Sequence, residues 1–347
     1  MAFYDSLFDS LGLREWCGAG NTGGPMTMAE LLAKSKTTTA TTEESTGLNL
    51  PFPSLDNLHA SCEAIPRTRD MTSGVEEFFL AIKSSLQFVL DPLTQPLSWL
   101  LDGSIWLFVT MPWWLLIGLT LVAVQMITRS KGVTLLVAIT WLFLAFIDHY
   151  TYAVQTMAII FVCTGLSVLL GVPIGIMMSK NDRFQKGTIP VLDMLQTLPS
   201  FVYLIPLIFL FSVTESKLYG IAIILYAIVP VIRLTDLGIR LVDQDIIEAS
   251  NAFGMTARQK LFSIELPLAL PNIMAGVNQT IMMSLAMVVI ASLVSAPGLG
   301  VLVLRGINNL ELGVGLVSGF CIVILAILLD RVSKATLARV DVSQSDS

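Results

Sequence analysis

From about residue 112 the chain is a series of apolar runs separated by short polar breaks. A run of about 20 apolar residues crosses a bilayer as a helix. Seven spans are predicted on this pattern, at about 112–128, 133–147, 151–178, 188–213, 218–241, 275–297 and 312–332. The second is short. Strands of a transmembrane barrel would show short alternating segments, and none appear. Before the first run, residues 75–104 are amphipathic. Phe78, Phe79, Ile82, Leu86, Val89 and Leu90 alternate at helical spacing with Glu76, Glu77, Lys83 and Asp91. They predict an interfacial helix rather than a span. Residues 1–75 are polar and broken by Gly23, Gly24, Pro51, Pro53 and Pro66, with a Thr- and Ser-rich stretch from Ser35 to Thr46. Such a segment buries too little apolar area to offset the entropy of ordering it. Its exception is Met1 to Leu13, where Phe3, Leu7, Phe8 and Leu11 recur at helical spacing.

Composition agrees. Hydrophobic residues make up 54% of the 347 and charged residues 13%, about half the charged share of a soluble domain. The chain therefore reads as an all-α polytopic membrane protein. Residues 1–75 carry five Lys or Arg against nine Asp or Glu, so the tail holds −4 of the net −6. No basic patch suits nucleic acid. Cys17, Cys62, Cys163 and Cys321 form no CxxC pair, which argues against a metal or redox site. Cys17 and Cys62 could pair only if the tail lies outside the cytoplasm. No cleavable signal peptide is visible at the start.

Lys and Arg set the expected orientation. Arg129 and Lys131, then Lys180, Arg183 and Lys186, then Arg240, Arg258 and Lys260, then Arg331, Lys334 and Arg339 fall on one side. The alternate loops hold only Lys217 and Arg305. The positive-inside rule then places the insert between spans five and six in the cytoplasm with the C-terminus, and the N-terminal tail in the periplasm.

That insert is the most informative polar stretch. It reads EASNAFGMTARQKLFSIELP from Glu248 to Pro267. Asp245 with Glu248, and Thr256 with Gln259, have capping-box spacing for two short helices. Gly254 lies between them, where a left-handed cap would turn the chain. Pro267 and Pro271 are expected to break or bend the second helix before span six. The result is a compact helix–turn–helix knob.

The order Glu248-Ala249-Ser250, then Gly254, then Ile264-x-Leu266-Pro267 resembles the EAA loop of bacterial ABC-importer permeases. All spacings match, with Ser250 in place of the second Ala. In that family the loop docks on the ATPase subunit, so the resemblance implies a coupling role for Glu248, Ala249, Ser250, Gly254, Arg258, Ile264, Leu266 and Pro267. Further segments are similar to permeases of glycine betaine/proline betaine importers. They are Pro190–Pro206 (PVLDMLQTLPSFVYLIP), Ala275–Thr280 (AGVNQT), Met287–Ser292 and Val301–Ile307 (VLVLRGI). The similarity runs over roughly 105–335.

The resemblance implies a type I ABC-importer permease fold, the MetI-like fold, in a bacterial inner membrane. It implies a compact zwitterionic or cationic cargo: a betaine, choline, carnitine or trimethylamine N-oxide. Its partners would be two copies of a cytoplasmic ATPase, a periplasmic binding protein, membrane lipid and a second copy of the permease. The expected parts are a tail at 1–75, interfacial helices at 76–111, two spans at 112–147, a core at 148–335 with the coupling loop at 243–271, and a cytoplasmic end at 336–347.

The chain has no GxxxxGK[ST] phosphate loop, so no cofactor is expected on it; ATP and Mg belong to the partner ATPase. No catalytic or metal residue is expected, since His59 and His149 are the sole histidines and no HExxH occurs. Within the spans, Asp193, Arg233 and Asp236 are ionisable groups of the kind that face a cavity or a partner. Arg233 could pair structurally with Asp193 or Asp236, or form an inner gate with one of them. Pro199 and Pro206 in span four, and Pro230 in span five, interrupt helices, as happens along transport pathways and in plain packing bends. Phe201, Tyr203 and Met287 are candidate lining residues, since aromatics hold quaternary ammonium groups by cation–π attraction. Asn278, Gln279 and Thr280 are placed to bond across helices. The other readings are an ion-coupled secondary transporter, which would need ionisable groups at mid-bilayer and repeated halves, and a membrane scaffold.

Overall fold

A computed structural model describes residues 68–340. The chain divides into two units between Ser84 and Ser85; apart from residues 68–84 of the first helix, every feature below belongs to the second. The expected helix at Met1–Leu13, the Thr-rich stretch and the Cys17–Cys62 pair lie outside the described residues. No strand occurs among those described.

The helix α1 (Thr68–Thr110) contains Pro92 and Pro96. It runs without a break through the segment expected to be interfacial. Pro112 then starts α2 (Trp113–Thr128), and the two axes meet at 109°. The residue before a proline is pushed out of the helical region, which ends α1 here. Next come α3 (Lys131–Phe146) and α4 (Tyr150–Lys180). Span four is not one straight helix. It is α5 (Asp182–Thr197), a 3₁₀ turn at Ser200–Tyr203, and α6 (Leu204–Leu210), with a bend of 105°. The cause is again a proline: Leu198, before Pro199, is extended at ψ 133°. The helix α7 (Ser216–Arg240) follows.

Beyond α7 come α8 (Gln244–Ala252) and α9 (Ala257–Lys260). A π turn at Leu261–Glu265 leads directly into α10 (Leu266–Ala291). Last are α11 (Leu299–Asn308) and α12 (Leu312–Val340). Four helical stretches can cross a membrane alone: Tyr150–Lys180, Ser216–Arg240, Ala257–Val294 and Leu312–Ala338; the two bent pairs raise the number to six. The expected short second span is α3, an apolar helix of 16 residues that is shorter than any of these.

The helix α7 is the centre of the bundle, packed on α4 and α10 more extensively than any other pair. Val229, Val231 and Ile232 of α7 are buried with Met178 of α4 and Leu192 of α5. Without a hydrophobic drive in lipid, helices associate through close packing of small residues. Gly175 of α4 shows this: an added Cβ would stand 2.7 Å from the Ile232 carbonyl oxygen. On the other side, Ile239 packs with Ala269 and Ile273 of α10. Cys163 and Cys321 are buried and free. Asn278 donates to Asp330 at 3.3 Å, the cross-helix bond expected for that polar segment.

Candidate functional site: the projecting knob and the ion pairs at its base

The knob is built by local signals. The Thr256 hydroxyl accepts from the Gln259 amide, and the Gln259 side chain accepts from the Thr256 amide at 2.9 Å, completing the expected capping box. Gly254 has φ 75°, the left-handed turn that a side chain disfavours. The first helix begins elsewhere than expected. Its cap is Asp243, whose carboxylate accepts from the Asp245 amide at 3.0 Å. Asp243 follows closely on the end of α7, so the chain has already turned there. Asp245 then sits in the first turn, where its charge favours the helix dipole.

Of the break or bend expected at Pro267, the break does not occur. The π turn before it is wider than α, with the Leu266 amide donating back to Leu261. This widening makes room for the proline ring and absorbs its missing donor. Pro271 is likewise inside α10. As a result α9, the π turn and α10 form one continuous helical rod, Ala257–Val294.

Glu248, Ala249, Gly254, Arg258 and Pro267 are all exposed, and Ile264 and Leu266 are half-buried. Ser250 is buried and donates to the Ile247 carbonyl at 2.6 Å. Phe253 and Phe262 are exposed at 87% and 66%, which sets two large apolar rings on the knob surface. Such rings at a tip surrounded by polar groups suit a partner pocket.

At the base of the knob lies a set of ion pairs, of which only Arg233–Asp193 is among those the sequence predicts. Glu265, in the unspecified position of Ile264-x-Leu266-Pro267, is buried and pairs with Lys180 at the end of α4. Arg240, at the end of α7, donates to Asp236 at 2.9 Å, and to Asp182 and the Met178 carbonyl at 2.8 Å each. Gln185 donates to Asp236 at 2.6 Å. Asp236 therefore serves Arg240, not Arg233. Arg233 pairs with Asp193, joining α7 to α5 at a half-exposed position. The Arg233 Nε atom is buried and has no hydrogen-bond partner. A Glu between two matched positions carried no signal of its own; its buried charge, once seen, calls for a cation.

The candidate lining residues differ in exposure. Phe201 is exposed, Tyr203 is buried with its hydroxyl donating to the Leu195 carbonyl, and Met287 is fully buried in the bundle. Pro199 ends the extended link and Pro206 lies inside α6. Among the described residues no group of three His, Cys, Asp or Glu is placed to hold a metal ion.

Helices long and apolar enough to cross a membrane, with an exposed helix–turn–helix between two of them, make this a polytopic membrane protein. The chain belongs to the family of binding-protein-dependent transport system inner membrane components, whose profile matches residues 167–342. It is 39% identical over 286 residues to the glycine betaine/proline betaine transport system permease protein of Escherichia coli (strain K12), covering 82% of this chain and 78% of that one. It is 40% identical over 229 residues to the glycine betaine transport system permease protein of Bacillus subtilis (strain 168), covering 66% and 76%. It is 31% identical over 269 residues to the trimethylamine N-oxide transport system permease protein of Pelagibacter ubique (strain HTCC1062), covering 77% and 37%. In fold it is similar to a chain of the inward-facing MetNI methionine ABC transporter, with a TM-score of 0.50 at 20% identity, over 55% of this chain and 95% of that one. The chain is thus a multi-pass ABC-importer permease, a transport component and not an enzyme.

Proposed function

We propose that this chain forms the translocation pathway for a small quaternary or methylated amine osmolyte. The printed substrates of its relatives, glycine betaine, proline betaine and trimethylamine N-oxide, support that class. The pathway is completed by a second copy of the chain and powered by two copies of a separate ATPase that bind ATP and Mg. A periplasmic binding protein delivers the cargo. The knob lies in the cytoplasm with the C-terminal segment 336–347; the tail 1–75 is periplasmic. The interfacial segment 76–111, the first two spans within 112–147 and the core at 148–335 divide the remaining work.

The observation that carries this reading is the knob itself. Glu248, Ala249 and Arg258 are displayed on two capped helices around Gly254, and the second helix continues into α10. Closure of the ATPases would push the knob, and the rod Ala257–Val294 would carry that push into the bundle. Glu265 and Lys180 fasten the rod to α4, and the Arg233–Asp193 pair acts as an inner gate between α5 and α7. The double variant Glu248→Lys, Gly254→Pro is expected to remain in the membrane and to lose uptake of glycine betaine. Uptake at the wild-type rate would overturn the docking role.

A further inference from the structure

At the end of the bundle away from the knob, the structure contains an open cavity of about 390 Å³. The helix α7 has 25 residues, so Ser216, its first, stands about 37 Å from the knob end. The lining includes Asp102 and Trp106 of α1, Gln155 of α4, Thr214, Tyr219 of α7 and Ser295. The volume lies in the range of small-molecule sites.

The charge balance here is uneven. Lys217, buried beside this rim, is fully engaged: it pairs with Asp91 at 2.8 Å and Glu215 at 2.9 Å and lies 5.0 Å from the centre of the Phe211 ring. Asp102 has no Lys or Arg partner among the described residues. One of its oxygens accepts from Ser216 and the other from Ser98 at 3.3 Å. Each oxygen thus already has a donor, while the charge has no counter-ion. Asp102 is exposed, and each of its oxygens keeps a lone pair on the open side that a cation can approach. Beside it stand two aromatic rings, Trp106 exposed at 68% and Tyr219 buried. A methylated cation is weakly hydrated, so it exchanges water for a carboxylate and aromatic side chains at little desolvation cost.

We propose that this cavity binds the quaternary ammonium group of the cargo at Asp102, between Trp106 and Tyr219, as the first station on the permease itself. The proposal rests on the quaternary-amine reading above and adds a site to it. Gln155, Thr214 and Ser295 supply neutral polar groups for the rest of the molecule.

The test uses the assembled importer in lipid nanodiscs without binding protein, with radiolabelled tetramethylammonium as the probe. Saturable binding is expected. It should weaken about tenfold in Asp102→Asn and in Trp106→Ala, and stay within about twofold in Trp106→Phe, which keeps the π face. Trp106 is exposed, so its truncation tests the contact rather than the fold. No saturable binding, or equal binding by Asp102→Asn and Trp106→Ala, overturns the proposal. ATP-driven uptake of glycine betaine by the wild type, with binding protein, is measured in parallel. Uptake without tetramethylammonium binding removes the cavity site and leaves the importer reading intact. Binding without uptake supports the site and removes that reading.

Discussion

At the scale of the residue, the pair Arg233–Asp193 separates structure from function cleanly. Both side chains are partly exposed, at 38% and 53%, and such pairs contribute about 0–1 kcal/mol to stability. Asp193→Asn should therefore shift the melting temperature of the purified protein little. If the pair is a gate, the same change should raise basal ATPase activity of the assembled importer or lower uptake; unchanged values for both would leave it a packing contact. The residue scale also shows what a sequence conceals. Pairing of Arg233 was legible, but its partner was not, because Asp193 and Asp236 were both in reach of α7 until the bend at Pro199 set the course of α5. Lys217 read as a loop cation, yet it is buried at the first turn of α7 with two carboxylates. Charge counts along a chain do not reveal burial.

At the scale of the element, the join between knob and span is decisive. The π turn Leu261–Glu265 holds one residue more per turn than an α-helix would, and thereby keeps both the Pro267 ring and the orientation of the knob. Inserting one Ala between Lys260 and Leu261 keeps that allowance and adds one residue of helix on the knob side of it. A residue of α-helix turns by about 100°, so the knob would face away from its partner while α10 stayed in place. The variant should insert normally and fail to retain the ATPase on purification; retention at the wild-type level would show that the join is pliable. The cap at Thr256 and the turn at Gly254 were legible because each is a local rule satisfied within a few residues. The π turn was not. It depends on a proline and on the pairing of buried Glu265 with exposed Lys180, 85 residues apart, and no local pattern announces either.

At the scale of the whole molecule, the chain is the membrane part of a machine whose energy enters from another subunit. Uptake into vesicles should require ATP at the face carrying the knob and persist when ion gradients are collapsed; uptake driven by a gradient alone would favour a secondary transporter. The order of helices and the membrane class were plain from the apolar runs. The continuous α1 was less so, because Asp91, Pro92, Pro96 and Asp102 interrupt its apolar pattern, although Asp91 and Asp102 find partners on α7. One further consequence follows from α3. Its 16 residues extend about 24 Å, against a hydrocarbon layer of about 30 Å. Trp141 and Leu144 are wholly buried against neighbours, which restrains the helix from shifting to suit the lipid. A helix of that length crosses an average bilayer only where the bilayer thins, so we expect uptake in reconstituted vesicles to rise as the acyl chains of the lipid are shortened; uptake independent of chain length would place α3 outside the spans.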